Sequence, residues 1–254
     1  MSLPKTPSFS LTGKRALVVG ASSGIGKACA VALAEYGASV TLGARRLNQL
    51  SDLMADMKQN RWSVNIQQMD VTNIEEMHNI ISSVDPFDIL VNSAGLAKHT
   101  NSLKTSIKDF ESVMNVNLKG AYFLTQAVTK SMVSKGSPGS IINISSQMGL
   151  VGGQDRSVYC ASKHAVEGFT KAMAIEYGVH DIRINTICPT FILTDMTRET
   201  FDQPEKRTWI EDKIKLGRVG KVEDLMGAVV YLASDASSLV TGSSLLVDGG
   251  WTAG

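Results

Sequence analysis

The sequence contains few of the residues that mark disulfide-rich, zinc-binding or membrane-spanning proteins. Among its 254 residues are three cysteines and four histidines, scattered along the chain. They form no CxxC, HxxxH or mixed Cys/His cluster, so we expect no disulfide framework and no bound metal. Sparse, separated cysteines are typical of reduced thiols, which favours a cytoplasmic location.

Long apolar runs and an excess of charge of either sign are also missing. No stretch approaches the roughly 18 apolar residues of a membrane-spanning helix. The start MSLPKTPSFS has no apolar core of a signal peptide. The formal net charge is +1, which provides no electrostatic basis for binding nucleic acid or an anionic membrane. Neither is expected as a partner.

Glycine is plentiful, with 22 residues, and short apolar runs alternate with helical patterns. The predicted strands span 15–20, 39–44, 63–70, 87–95, 139–146, 182–189 and 243–250. The predicted helices include 24–36, one long helix over 106–135, 157–177 and 222–232. Such alternation predicts an α/β fold: one domain, 1–254, with a Rossmann-type doubly wound parallel sheet and helices on both faces.

The segment 194–220 interrupts this alternation after the sixth predicted strand. It is rich in charge, contains Pro204, and spaces Phe201, Trp209 and Ile210 irregularly. An insertion after the carboxyl end of a strand is where a substrate lid would lie. The alternative is a surface excursion that packs its own aromatic residues.

The stretch VVGASSGIG places Gly20, Gly24 and Gly26 between the first strand and the first helix. Glycines in this context permit a tight turn and let the backbone approach a phosphate, while the helix N-terminus offers free N–H groups. The pattern favours a dinucleotide site, the alternative being a tight turn without a ligand.

The end of the second strand distinguishes the two nicotinamide dinucleotides. Folds that bind NAD(H) hold the ribose with an acidic residue there, but the stretch LGARRL has Ala44 followed by Arg45 and Arg46. No carboxylate would repel a 2′-phosphate, and the Arg45 guanidinium can pair with it. We therefore expect NADP(H) rather than NAD(H). The alternative is that both arginines cap a solvated helix start.

Tyr159 is followed four residues later by Lys163, so both side chains share one helix face. A nearby ammonium lowers the pKa of a phenol, which would suit Tyr159 to acid–base catalysis. Ser146 ends the fifth predicted strand, at the sheet edge where ligands of such folds bind. The alternative is an aromatic residue and a cation on a surface helix. Cys160 and His164 are expected to be structural, the cysteine as a small hydrophobe.

Several motifs together resemble the short-chain dehydrogenase/reductase family over nearly the whole chain. They are VVGASSGIG, MDV, NSAG, NVNLKG, NISSQMG, YCASK, CPTFILT and LLVDGG, in the order in which the family has them. Within the family, the chain is similar to NADP-dependent 3-oxoacyl-acyl carrier protein reductases and to sugar or polyol dehydrogenases.

The resemblance implies a catalytic set of Asn117, Ser146, Tyr159 and Lys163. Tyr159 would be the acid/base, Ser146 rather than Ser145 would orient the substrate oxygen, and Lys163 would bind the nicotinamide ribose and depress the pKa of Tyr159. Asn117 would hold a water in the proton relay. The resemblance implies that Tyr159, Lys163 and the residues of the glycine turn and of LGARRL contact the cofactor. It also implies cofactor contacts from Ser22, Ser23, Ile25, Asp70, Val71, Asn92, Ala94, Gly95, Pro189, Ile192 and Thr194. It implies substrate contacts from Ser146, Met148, Thr190 and Phe191.

The expected function is hydride transfer between NADP(H) and a small-molecule carbonyl or secondary alcohol. The motifs leave the substrate open between a 3-oxoacyl group and a sugar or polyol. A catalytically silent NADP(H)-binding regulator is the alternative from another class. The resemblance also implies a homotetramer, with a dimer as the alternative. Three positions depart from the family pattern, namely Val19, Ser93 and Thr190, and the side chain of Thr190 is expected to narrow the substrate pocket.

Overall fold

Seven parallel strands form one sheet in the computed structural model of the chain, which describes residues 3–195 and 197–254. The strands are β1 (Arg15–Val19), β2 (Ser39–Ala44), β3 (Val64–Gln68), β4 (Ile89–Asn92), β5 (Gly139–Ile144), β6 (Ile182–Pro189) and β7 (Ser244–Val247). Their order across the sheet is β3-β2-β1-β4-β5-β6-β7. The order reverses between β1 and β4, and ligands of open α/β sheets bind outside the carboxyl ends of the strands at such a reversal.

Helices cover both faces of the sheet. They are α1 (Gly24–Glu35), α2 (Leu47–Gln59), α3 (Ile74–Ser82), α4 (Ile107–Met114), α5 (Ala121–Lys135), α6 (Ser157–Tyr177), α7 (Arg198–Phe201), α8 (Pro204–Lys213) and α9 (Glu223–Ala233). One core cluster joins the sheet to α1, α2 and α9, and the other joins it to α3, α5 and α6. Both faces of the strands are therefore apolar, as the missing period-two alternation predicts. Among the described helices, no apolar stretch has the length that crossing a bilayer requires.

The prediction of one long helix over 106–135 is wrong in one respect. It is two helices, α4 and α5, joined by a π-helical segment of six residues, Asn115–Gly120. A Cβ atom on Gly120 would lie 2.9 Å from Val71 Cγ2, so the chain passes close to the loop after β3 at this point. Side-chain periodicity does not reveal a single inserted residue, whereas π-helical turns are frequent at functional sites.

Four strands end two or three residues earlier than expected because their carboxyl ends turn into loops at the ligand edge of the sheet. These are β3, β4, β5 and β7, which were expected over 63–70, 87–95, 139–146 and 243–250. After β7 the turn is held by the Asp248 carboxylate, which accepts hydrogen bonds from the backbone N–H groups of Gly250 and Thr252, both at 2.9 Å.

The segment 194–220, described except for residue 196, contains α7 and α8. Phe201 and Ile210 are buried in a small cluster of their own, against which Phe191 and Trp251 pack. The segment thus packs some of its own apolar residues, which is compatible with both interpretations of the sequence. It does so against Phe191, which follows β6 at the carboxyl edge of the sheet.

The turn between β1 and α1 requires glycine at position 20. Gly20 has a φ of +85°, a conformation in which an L side chain is strained. A Cβ atom there would also lie 2.6 Å from the Ser93 carbonyl carbon and 2.7 Å from the Ala94 nitrogen. The turn after β1 and the loop after β4 are therefore in backbone-to-backbone contact at the reversal of strand order.

We predict that Gly20→Ala destabilises the protein by at least ~3 kcal/mol, since backbone strain and overpacking add. Gly13→Ala is the matched control, because Gly13 has a φ of +82° with nothing within 4 Å of its Cβ position. It should cost only about 1–2 kcal/mol. Urea unfolding of both variants measures the difference, and equal losses would contradict the contact at Gly20.

Candidate active site

A cavity of about 490 Å³ opens at the carboxyl edge of the sheet, at the reversal between β1 and β4. Its lining includes these residues predicted to contact the cofactor: Gly20, Ser22, Ser23, Gly24, Ile25, Arg45, Arg46, Asp70, Val71, Ala94, Gly95, Tyr159, Lys163 and Thr194. The glycine turn, the end of β2, the loops after β3 and β4, and α6 thus meet around one space. This is the extended, turn-lined shape that a dinucleotide requires.

The end of the cavity next to β2 is basic. Arg45 and Arg46 are exposed there, and Arg46 Nη2 donates a hydrogen bond to Ser22 Oγ at 3.0 Å. The nearest acid in the lining, Asp70, is occupied locally, since its Oδ1 accepts from the Thr72 backbone N–H at 2.9 Å and from Thr72 Oγ1 at 2.8 Å. This end has two cations available for a phosphate and no free carboxylate at the end of β2 to oppose it.

Four of the predicted cofactor contacts lie behind the cavity lining. Gly26 packs against the Gly20 backbone, and Pro189 is a buried residue that ends β6. Asn92 is buried and donates to Asn143 Oδ1 at 3.2 Å, which supports the sheet below the cavity. Ile192 was expected near the nicotinamide, but it is 3% exposed and belongs to the core cluster of α1 and α9. Its bridge to Gly220 turns it away from the space that Thr194 lines.

Tyr159 lies in the first turn of α6 with its phenol beside Ser146. Burial raises the pKa of Tyr159 above its ordinary value, while a side-chain hydrogen bond with Ser146 and the charge of Arg156 act in the opposite direction. The expectation that Lys163 lowers the pKa of Tyr159 is therefore wrong for this structure. Desolvation outweighs the neighbouring charges, and the cation that acts on the phenol is Arg156.

Lys163 is 5% exposed and lies under the tyrosine ring, with Nζ 5.8 Å from the ring centroid. Its Nζ donates a hydrogen bond of 2.8 Å to the carbonyl of Ile144, the last residue of β5. Burial lowers the pKa of Lys163 to about 8, and the charges of Cys188 and Glu167 act against this shift. Helix α6 therefore presents both side chains at the end of β5, where the cavity reaches the sheet.

Ser146 and Ser145 take different positions after β5. Ser146 Oγ accepts from the Met148 backbone N–H at 3.1 Å, which begins a short 3-10 turn and keeps the side chain beside Tyr159. Ser145 instead directs its hydroxyl toward the position where a Cβ on Gly149 would lie, 3.0 Å away. Ser145 lines the cavity and Ser146 does not, whereas Ser146 is the serine that acts on the pKa of Tyr159, so the substrate-orienting role of Ser146 stays a prediction.

Comparison with known proteins gives one consistent family. A family model described as enoyl-(acyl carrier protein) reductase matches residues 20–252. D-erythrulose reductase from Gallus gallus is 36% identical over 245 residues, covering 96% of this chain and 98% of that protein. Gluconate 5-dehydrogenase from Gluconobacter oxydans (strain 621H) is 37% identical over 248 residues, covering 96% of each. The chain belongs to the short-chain dehydrogenase/reductase family.

A solved structure supports the same assignment for the fold. The gluconate 5-dehydrogenase of Burkholderia cenocepacia J2315, in complex with NADP and tartrate, matches with a TM-score of 0.94 at 32% identity. The match covers 97% of this chain and 98% of that chain. The resemblance found in the motifs and the doubly wound parallel fold are both confirmed, and this short-chain dehydrogenase/reductase is an oxidoreductase.

Asn117 sits in the π-helical segment and is 1% exposed. Its Oδ1 accepts from the Leu96 backbone N–H at 2.7 Å, and its Nδ2 donates to the Leu96 carbonyl at 2.8 Å and to Ser162 Oγ at 3.1 Å. Ser162 Oγ in turn donates to the Tyr159 carbonyl at 2.7 Å. The amide thus fixes the loop after β4 against α6, and both of its amide hydrogens are used in doing so.

Glu167, one turn after Lys163, is a further buried residue beside this site that sequence reasoning missed. It is 4% exposed and its Oε2 accepts from Thr186 Oγ1 at 3.0 Å and from Ser244 Oγ, while Cys188 Sγ lies 3.3 Å from Oε1. Its spacing of four residues from Lys163 was the available signal, because it puts both side chains on one face of α6.

Arg156 and His99 are two further residues near the phenol that no motif marks. The ring of His99 meets the ring of Tyr159 edge-on at 6.1 Å, and the Arg156 guanidinium lies 5.3 Å from the centroid of Phe191. Burial, with the charge of Arg156, lowers the pKa of His99 to about 4, so this imidazole is neutral at pH 7. The predicted substrate residue Phe191 is therefore adjacent to a cation.

The remaining predicted substrate residues lie outside the lining of the cavity: Met148 is buried after β5, and Thr190 is half-buried after β6. Gln147, between Ser146 and Met148, is 1% exposed. The Gln147 amide and Thr190 Oγ1 are buried without a hydrogen-bond partner among the described residues. Buried polar groups in proteins are almost always paired, so unpaired groups beside Ser146 indicate a ligand or water that completes them.

We predict that Lys163→Met changes how stability depends on pH. The folded pKa of about 8 lies below the ordinary 10.5, so the unfolded chain holds more protons between these pH values. Stability of the parent therefore rises with pH through this window relative to the variant, by about 1–3 kcal/mol. Urea unfolding from pH 7.5 to 10 measures it, with Lys171→Met, exposed on the same helix, as the control. A pH-independent difference between parent and Lys163→Met would contradict the buried ammonium.

Proposed function

We propose that this enzyme transfers hydride between NADP(H) and a carbonyl or secondary alcohol of a polyhydroxylated substrate, with Tyr159 as the general acid/base. The observation that carries the proposal is the phenol of Tyr159, which lines the dinucleotide-shaped cavity and pairs with Ser146. The buried ammonium of Lys163 lies 5.8 Å from the centre of its ring. A proton donor, an oxygen-binding hydroxyl and a cation are thus assembled where the cavity ends.

The residues present fit a dinucleotide: the close glycine turn admits a pyrophosphate, and the basic end beside β2 suits a phosphate. Bound NADPH would supply the hydride for a substrate carbonyl carbon. With its pKa raised by burial, Tyr159 is protonated at neutral pH and can give its proton to the developing alkoxide. Ser146 stabilises the same oxygen by a hydrogen bond. Lys163 places a positive charge below the phenol, and Asn117 holds the surrounding loop.

A sugar or polyol fits the substrate side better than a 3-oxoacyl chain. Gln147 and Thr190 offer buried polar groups that substrate hydroxyls could complete, whereas an acyl chain would leave them unpaired. The related proteins named above reduce erythrulose or oxidise gluconate according to their names. This proposal explains why the chain differs from the family pattern at Thr190, because the threonine side chain would narrow the pocket and its hydroxyl could bind a substrate oxygen.

The preference for NADP(H) over NAD(H) is proposed from the basic end of the cavity. Arg45 and Arg46 line it, no carboxylate ends β2, and a related structure holds NADP. We also propose that segment 194–220 is a substrate lid, because its apolar cluster packs on Phe191. The free, buried cysteines support a cytoplasmic location. A homotetramer remains the proposed assembly, supported by Leu246, 41% exposed on the edge strand β7.

We predict that Tyr159→Phe lowers kcat for ketose reduction by about 10²–10⁴-fold, the usual contribution of a positioned general acid. Tyr36→Phe, at an exposed tyrosine, is the control that should retain activity. NADPH oxidation followed with sugar ketones measures both, and fluorescence titration reports NADPH binding separately. Binding of NADPH by the unmodified protein without turnover of any ketose or polyol would favour the regulator instead.

We predict that Arg45→Ala raises KM for NADPH by about 10–100-fold and changes KM for NADH much less, because it removes a charge-assisted bond to the 2′-phosphate. Lys58→Ala is the matched control, since Lys58 is exposed on α2 outside the cavity lining. Equal effects of Arg45→Ala on the two dinucleotides would show that Arg45 does not read the phosphate.

A further inference from the structure

Arg156 is a partly buried cation that forms no ion pair within 4 Å among the described side chains, although the charge of the exposed neighbour Asp155 acts on it. Four other arginines, Arg15, Arg198, Arg207 and Arg218, lie within 4 Å of a carboxylate. Arg156 donates one hydrogen bond, from Nη1 to the Gln154 carbonyl at 3.2 Å. A guanidinium withdrawn from water and left unpaired is unfavourable, so a partner from outside the chain is expected.

A second partly buried arginine, Arg183, shows how the fold satisfies such a group with acceptors of its own. Arg183 donates to Ser237 Oγ at 2.8 Å and to the carbonyl of Leu232 at 2.9 Å, with weaker bonds to two further carbonyls. Arg183 lies in β6 and its guanidinium is fixed by the chain that follows α9. Arg183 is satisfied by several acceptors of the protein, whereas Arg156 has one. This difference indicates that the guanidinium of Arg156 is available to bind a ligand.

The position of the guanidinium is set on two sides. One face stacks on the ring of Phe191 at 5.3 Å, which leaves the edge of the guanidinium fork to bind a planar anion. On the other side its charge acts on Tyr159 and on His99. The cation therefore lies between the phenol of Tyr159 and the ring of Phe191, which precedes segment 194–220.

The chain directs Arg156 there through the turn that precedes α6. Asp155 has a φ of +58°, an unusual conformation that aspartate tolerates better than most residues. The Arg156 carbonyl then accepts the hydrogen bond of the Cys160 N–H at 2.8 Å, so the residue begins the catalytic helix. Arg156 is three residues before Tyr159, and its side chain is held in a fixed relation to the phenol.

We propose that Arg156 binds a carboxylate of the substrate, and that the enzyme therefore acts on polyhydroxy acids, with the reacting carbon at Tyr159, in preference to neutral ketoses. The proposal rests on the proposed function of the same site and names its substrate class. A carboxylate would accept the two free donors of the fork in a bidentate pair. Gln147 and Thr190, whose polar side-chain atoms are buried and unpaired among the described residues, would bind hydroxyl groups of the same molecule.

The first test is a binding experiment that does not need turnover. The probes are L-tartrate and L-threitol, which share a four-carbon diol core and differ in carboxylate against hydroxymethyl ends. Isothermal titration is done on the protein saturated with NADP. We expect tartrate to bind at least about tenfold tighter than threitol, and Arg156→Met to weaken tartrate about a hundredfold while affecting threitol far less. Arg156→Lys, a point charge without the fork, should give an intermediate affinity.

Two control variants separate this role from the alternatives. Phe191→Leu removes the stack and keeps the guanidinium, so the preference for tartrate over threitol should persist if the charge, and not the packing of segment 194–220, binds the anion. Arg207→Met removes an exposed charge from α8 and should leave the preference unchanged. Equal weakening of tartrate and threitol by Arg156→Met, or no weakening of either, would overturn the proposal.

The second test uses turnover and distinguishes the two hypotheses. With 5-keto-D-gluconate and its amide as paired substrates, Arg156→Met should raise KM for the acid about a hundredfold and change kcat less. The ratio of kcat/KM for acid over amide should collapse toward one. A protein that reduces neither compound but loses tartrate affinity in Arg156→Met would refute the proposed function and support the carboxylate site. Reduction of ketones together with a tartrate affinity that Arg156→Met leaves unchanged would support the proposed function and overturn the carboxylate site.

Discussion

The buried ammonium of Lys163 is the constraint on which the rest of the site depends. An amine 5% exposed must find partners in the protein, and the first is the Ile144 carbonyl at 2.8 Å. Because that carbonyl ends β5, the bond fixes the catalytic helix against the central strands. Tyr159 and Ser146 are carried by these same two elements, so their mutual position follows from where the ammonium is held.

Glu167 extends the constraint toward the edge of the sheet. Its negative charge acts on Lys163, and its carboxylate accepts hydrogen bonds from Thr186 on β6 and Ser244 on β7. A buried carboxylate without these hydroxyls would be strongly unfavourable, and without the lysine it would lack a counter-charge. Helix α6 is therefore tied to three successive strands by polar contacts in addition to its apolar face. Such a network makes the position of Tyr159 insensitive to motion of the loops around it.

The sequence predicts those features that are recorded in local patterns. Helix α6 has the expected bounds, Ser157–Tyr177, because spacing and composition agree along its length. The π-helical segment Asn115–Gly120 escapes such reasoning, since its cause is the close approach of Gly120 to Val71 across the fold. The direction of the pKa of Tyr159 escapes it for a similar reason. A lysine four residues away is visible in the sequence, whereas the burial that outweighs it is a property of the folded chain.

The distinction between local sequence patterns and properties of the folded chain also explains which charged residues of the site could be predicted. The net charge of +1 conceals a cation at each end of the space around Tyr159, with Arg45 and Arg46 beside β2 and Arg156 before α6. Arg45 and Arg46 could be predicted from the sequence, because folds that bind NAD(H) carry an acidic residue at the end of the second strand and this chain has none there. Arg156 follows no such rule, and only its burial without an ion pair among the described residues distinguishes it from a surface arginine. With the carboxylate substrate that we propose, this separation has a purpose, because two separate cationic groups would orient the anionic cofactor and the anionic substrate toward the phenol of Tyr159.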